Sequence, residues 1–157
     1  MHLGWCLLGD SDRALEYYRS ICPSTQPDIE TYRAEPYVYS QMIAGRDAAT
    51  PGEAKNSWLT GTAAWTFVTL AQGILGIKPE YDGLRIDPCI PTGWGSYRVT
   101  RRFRGATYEI TISNPDGVST GVRSLTVDGA PVDGNVVPLT ASAETVVVEV
   151  VLGGDRR

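Results

Sequence analysis

The run Ile74–Leu75–Gly76–Ile77–Lys78–Pro79–Glu80–Tyr81–Asp82–Gly83–Leu84–Arg85–Ile86 joins two halves of the chain that follow different periods. A helical run over 58–75 stops at Gly76, and Pro79 prevents its continuation. From Tyr81–Asp82–Gly83 onward the residues favour strands, at 84–86, 97–103 and 106–113. In the last of these, Tyr108, Ile110 and Ile112 alternate with Thr107, Glu109 and Thr111, a period of two that buries one face and wets the other. Asn114–Pro115–Asp116–Gly117 reads as a turn, and 123–127 leads into the hairpin signal Asp128–Gly129. A short strand over 136–139 belongs at a sheet edge because of Pro138, and 144–152 is the last and most apolar strand. The expectation for 81–157 is a small all-antiparallel sandwich of about five or six strands.

Upstream of the join the reading is helical. Met1 to Leu8 has almost no polar face and reads as the end of a buried helix, broken by Gly9 and Asp10. Residues 11–21 are amphipathic, with Ala14, Leu15, Tyr18 and Ile21 at helical spacing, Asp10 or Ser11 as N-cap and Pro23 as the stop. Residues 24–34 form a loop. Pro36 suits the first position of a helix over 36–43, closed by Gly45–Arg46–Asp47, and 48–56 is a second loop. The fold class is thus α + β, with helices over 1–80 and strands over 81–157. Helices that begin abruptly at an apolar Met1 leave an apolar face uncovered, which ordinarily marks a missing partner. The chain is expected to be the C-terminal piece of something larger.

At 157 residues, 42% hydrophobic and 20% charged, the composition is that of an ordinary globular protein with a real core. A net charge of −4 disfavours nucleic acid or an anionic membrane as partner. No apolar run reaches the roughly 18–20 residues of a membrane span, and no signal peptide is visible. Cys6, Cys22 and Cys89 are odd in number and form no CxxC spacing, so they read as reduced thiols of a cytosolic protein without a metal site.

The start of the 58–75 run, Lys55–Asn56–Ser57–Trp58–Leu59–Thr60–Gly61–Thr62–Ala63–Ala64–Trp65, carries the one chemical signal. Thr60 and Thr62 put hydroxyls beside Gly61, whose missing side chain lets another group approach the backbone. A helix N-terminus adds unpaired N–H groups and partial positive charge, so the segment is able to hold an oxyanion. Ser and Thr at a helix start are also ordinary caps, and the wording of the wider segment decides between the two.

That wording, Glu35–Pro36–Tyr37–Val38–Tyr39 followed by Asn56 to Trp65, resembles the glycoside phosphorylases of the cellobiose phosphorylase family (glycoside hydrolase family 94). So do Ile74 to Pro91 and Val99 to Tyr108, and the likeness runs from about Leu7 to Asn114 before it loosens. The resemblance implies that residues 1–80 are the last helices of an (α/α)6 barrel and residues 81–157 a C-terminal β-sandwich of jelly-roll type. It implies cleavage of a β-linked disaccharide by inorganic phosphate, with inversion, to give an α-sugar 1-phosphate. Phosphate is then a co-substrate, no cofactor or metal is needed, and a homodimer is the usual assembly. The family's catalytic Asp and a phosphate-binding Arg and His would precede Met1. What carries over is Thr60 and Gly61, matching a Thr–Gly pair whose hydroxyl and backbone N–H contact phosphate.

Other candidates have structural readings that are preferred. His2 lies too close to the stretch beginning at Leu7 to match the family's His. Glu35 and Asp82 are possible general acids, but Glu35 suits a helix start and Asp82 a turn. Trp58 and Trp65 would suit a pyranose ring as well as a core. Two alternatives remain: a non-catalytic carbohydrate-binding or subunit-interaction module, favoured if Trp94, Tyr97 and Tyr108 share an exposed face, or a fragment of a cyclic β-glucan synthase.

Overall fold

The structure is a computed structural model that describes residues 2–35, 37–140 and 145–154. Helix α1 (His2–Leu7) turns at Gly9 into α2 (Ser11–Ile21). Asp10 caps α2 by accepting the Arg13 N–H at 3.2 Å, with Asp12 in the first turn and Arg19 in the last, the charge order a helix dipole favours. A 3-10 turn (Pro23–Thr25) follows. Within the expected loop lies a single helical turn, α3 (Ile29–Tyr32), held by Asp28, whose carboxylate accepts from the Thr31 N–H and hydroxyl at 3.0 and 2.6 Å.

The helix expected over 36–43 does not form. Pro36 lies outside the described residues, and Tyr37 to Ser40 are irregular. Met42–Ile43 (β1) pairs antiparallel with Ala54–Lys55 (β2), which also replaces the end of the second expected loop. Tyr-Val-Tyr-Ser is poor helix sequence, so Pro36 had little to initiate, while Val38 buries itself without a helix. The run expected over 58–75 starts later, as α4 (Thr62–Val68), because Asn56 and Trp58 take left-handed backbone at φ 52° and 71°. Its second half widens into a π-helical segment (Thr69–Ile74) that ends at Gly76.

The remainder is β: β3 (Ile77–Pro79), β4 (Gly83–Ile86), β5 (Ser96–Phe103), β6 (Ala106–Ser113), β7 (Val122–Val127), β8 (Ala130–Val132), β9 (Val136–Pro138) and β10 (Thr145–Leu152). Two sheets result, ordered β5-β6-β10-β7-β8 and β3-β4-β9, with Pro138 on an edge strand. The all-antiparallel expectation is corrected at one place: β10 inserts between β6 and β7 and runs parallel to β6, Val148 facing Ile110. Alternation of inward Val146, Val148, Val150 and Leu152 with outward Val147 and Glu149 specifies a face but not a direction, so the pattern could not reveal this.

One core lies between the sheets. Leu84, Ile86 and Val137 of the small sheet meet Tyr108, Ile110, Ile112, Leu125 and the inward side of β10, all buried. Ala14 of α2 and Ile74 of the π segment belong to that same core. The helical segment is bolted to the strands by further bonds: Tyr97 Oη donates to Leu75 O at 2.9 Å, Cys89 N–H to Ile74 O at 3.0 Å, and Ser11 Oγ to Ser119 Oγ at 3.1 Å. On the helical segment Leu7, Leu8, Trp58, Leu59, Trp65 and Phe67 are exposed.

Candidate functional site

The strained pair Asn56 and Trp58 turns the chain from β2 toward α4, and Asn56 Nδ2 donates to Gln41 Oε1 at 3.0 Å, tethering the loop. Thr60 is thereby set, half-buried, just ahead of the helix. Its Oγ1 accepts the Thr62 N–H at 3.0 Å and lies 2.7 Å from Thr62 Oγ1. Two hydroxyls carry two protons, and the bond between them uses one. Among the described residues no hydrogen bond takes the other proton, so it can be donated outward, which is the property an anion site requires.

Gly61 between them is not demanded by this chain. Its φ of −76° is available to any residue, and an added Cβ would make only ordinary contact, 3.7 Å from Trp65 Cδ1. What glycine preserves here is open space over the first turn. Gly61→Ala is therefore expected to leave the urea unfolding midpoint nearly unchanged, within about 1 kcal/mol, since the entropy gained in the unfolded chain offsets the poorer cap. A larger loss would show that Gly61 is needed for folding.

Behind α4 sits a polar cluster that fixes its height. Thr66, almost fully buried, neighbours Tyr39, which also lies near Tyr18 of α2 and Cys22 at its C-cap. Burial, with Cys22 and Tyr18 alongside, pushes the Tyr39 phenol well above the tyrosine range. Burial would raise the Cys22 thiol too, but hydrogen bonds to Ser24, Tyr39 and Tyr18 outweigh it and hold the thiol below its ordinary value. The cluster beside Thr66 of α4 thus keeps the two phenols protonated and favours the thiolate of Cys22. Composition gave no sign of this support; the Thr-x-Thr spacing around Gly61 was the only legible signal for the role of Thr62.

The other candidates are scattered. Trp58 and Trp65 are each 68% exposed, and Trp58 meets Tyr37 edge-on at 6.3 Å, so neither is core in this chain. Glu35 is exposed in irregular backbone, its carbonyl accepting the Val38 N–H at 2.9 Å, and Asp82 is exposed in the bend between β3 and β4. Among the described residues no hydrogen bond joins either carboxylate to the Thr60–Thr62 pair. The side chain of His2 lies outside the described residues. Tyr108 is buried, Tyr97 is turned inward by its bond to Leu75, and Trp94 stands edge-on to it at 6.1 Å, which removes the shared aromatic face a carbohydrate-binding sandwich would stack on. The arrangement offers hydroxyl and N–H donors for an anion, and among the described residues no carboxylate is hydrogen-bonded to them.

Comparison with known proteins relates the chain to described families. Residues 1–76 match the glycosyl hydrolase 94 superfamily, catalytic domain, and residues 77–133 the glycosyl hydrolase family 65, C-terminal domain. An N,N'-diacetylchitobiose phosphorylase of Vibrio proteolyticus is 47% identical over 93% of this chain and 18% of its own length. That of Vibrio furnissii is 50% identical over 80% of the chain and 16% of its own length. A solabiose phosphorylase of Paenibacillus borealis is 36% identical over 92% of the chain and 19% of its own length. The chain thus spans less than a fifth of these relatives. Its residues 1–76 belong to the glycosyl hydrolase 94 superfamily, and the chain is related in sequence to the disaccharide phosphorylases.

Proposed function

We propose that this chain supplies the C-terminal part of an inverting glycoside phosphorylase, which cleaves a β-linked disaccharide with inorganic phosphate to give an α-sugar 1-phosphate. In this reading residues 1–80 are the last helices of an (α/α)6 barrel, 81–157 are its C-terminal jelly-roll sandwich, and the setting is cytoplasmic. Such a reaction needs a carboxylic acid to protonate the leaving oxygen, while phosphate attacks the anomeric carbon from the opposite face in place of a base-activated water. Thr60 and Gly61 are assigned to the phosphate side, the Thr60 hydroxyl and a backbone N–H donating to its oxygens. The acid is assigned to preceding polypeptide, whose barrel helices would cover Trp58, Leu59, Trp65 and Phe67.

The observation that carries the reading is the unshared proton of the Thr60–Thr62 pair beside an uncrowded Gly61, in a chain so close in sequence to named phosphorylases. Its test is direct. Mixed with N,N'-diacetylchitobiose or cellobiose and phosphate, the isolated chain is expected to release no sugar 1-phosphate. Addition of the preceding polypeptide from the Vibrio proteolyticus relative is expected to restore release. Turnover by the isolated chain would place the acid within it and overturn the assignment.

A further inference from the structure

Two of the three cysteines, remote in sequence, are brought side by side. Cys6 lies on α1 and Cys89 follows β4 after Asp87–Pro88. Both line a cleft of about 400 Å³ with Leu3, Gly73, Lys78 and Asp87, near enough for each thiol to shift the titration of the other. The π segment fixes the pair from both sides. Cys89 N–H donates to Ile74 O at 3.0 Å, and Cys6 Sγ sits 3.2 Å from where a Cβ on residue 73 would stand. A Cβ at 73 would press on Cys6 Sγ and Leu3 Cδ1, both at 3.2 Å, and push α1 back by a few tenths of an ångström.

The two thiols are unequal. Cys6 is half-buried and faces the cleft, where the neighbouring Cys89 and the charge of Lys78 favour its thiolate. Cys89 is buried, and the neighbouring Cys6 together with that burial raises its thiol and keeps it protonated. A reachable, more acidic thiol beside a sheltered one is the arrangement of an attacking and a resolving cysteine.

We propose that Cys6 and Cys89 form a modifiable dithiol that a small-molecule disulfide converts to an internal disulfide, tying α1 to the β half. The Cys6 thiolate attacks one sulfur of the small disulfide RSSR, forming a mixed disulfide and expelling RS⁻, which takes up a proton. Cys89 then loses its proton and attacks Cys6 Sγ, and a second RS⁻ departs and is protonated. Two protein thiols are oxidised and one RSSR is reduced to two RSH.

The experiment is incubation of the 157-residue chain with oxidised glutathione, then alkylation and peptide mapping by mass spectrometry. The expected product joins the Cys6 and Cys89 peptides and leaves Cys22 alkylated. Cys89→Ser is expected to accumulate glutathione on Cys6, and Cys6→Ser to leave Cys89 a free thiol. A bridge containing Cys22, a persistent mixed disulfide on Cys6 in the unaltered chain, or no reaction would each overturn the proposal. The mapping of the unaltered chain decides even where a variant folds poorly.

Discussion

Gly76→Ala is expected to lower the stability of the chain by about 2–5 kcal/mol, read as a large fall in the urea midpoint with an unchanged slope. Gly76 sits where the π segment ends and β3 begins, at φ +70°, and its carbonyl accepts the Asp87 N–H at 2.8 Å. A left-handed backbone costs an L-residue about 1–2 kcal/mol. The added Cβ would also stand 2.2 Å from Pro88 N and 2.3 Å from the Asp87 carbonyl carbon. Those atoms are backbone and cannot rotate away, so overpacking adds about 1–3 kcal/mol. Against a total of roughly 5–15 kcal/mol for a folded domain, the loss is large. A midpoint equal to that of the parent would mean that the helical segment is not locked under Asp87–Pro88, and that the shared core around Ala14 and Ile74 is not what holds the two halves together.

Position 76 also shows what the sequence disclosed. As a helix stop it was legible, because glycine after an apolar run marks the end of a helix. The second reason for a glycine there, the backbone of residues 87–88 lying across it, depends on how the chain returns after β4 and was invisible. The same division holds elsewhere. Strands β4, β5, β6, β7 and β9 follow from alternation and turn residues, with bounds within a residue or two. The parallel pairing of β10 with β6 does not follow, because alternation specifies a face and not a neighbour. The missed β1–β2 hairpin and the late start of α4 have a shared cause: proline and hydroxyl signals mark where helices are permitted, while Tyr-Val-Tyr-Ser and the left-handed Asn56 and Trp58 decide where they form. At the site, Thr60 and Gly61 stood out by residue type. The part played by Thr62, and the support of α4 through Thr66 and Tyr39, required side-chain geometry.

The assignment of Thr60 to phosphate makes the second large prediction. Valine keeps the shape of threonine but removes the Oγ1 that accepts the Thr62 N–H and completes the hydroxyl pair. A hydrogen bond to a charged group contributes about 1.5–3 kcal/mol, so its loss corresponds to roughly a ten- to hundredfold weakening. Serine restores the hydroxyl and should recover most of it. Gly61→Ala, which leaves the fold intact, should weaken phosphate use as well by crowding the adjacent N–H groups.

The decisive measurement is steady-state phosphorolysis by a full-length enzyme in which this chain replaces the matching segment of the Vibrio proteolyticus relative, with and without Thr60→Val. The expected result is a phosphate KM raised about ten- to hundredfold and a disaccharide KM changed far less, with Thr60→Ser close to the parent. An unchanged phosphate KM, or a disaccharide KM that rises equally, would contradict the placement of phosphate at Thr60 and Gly61.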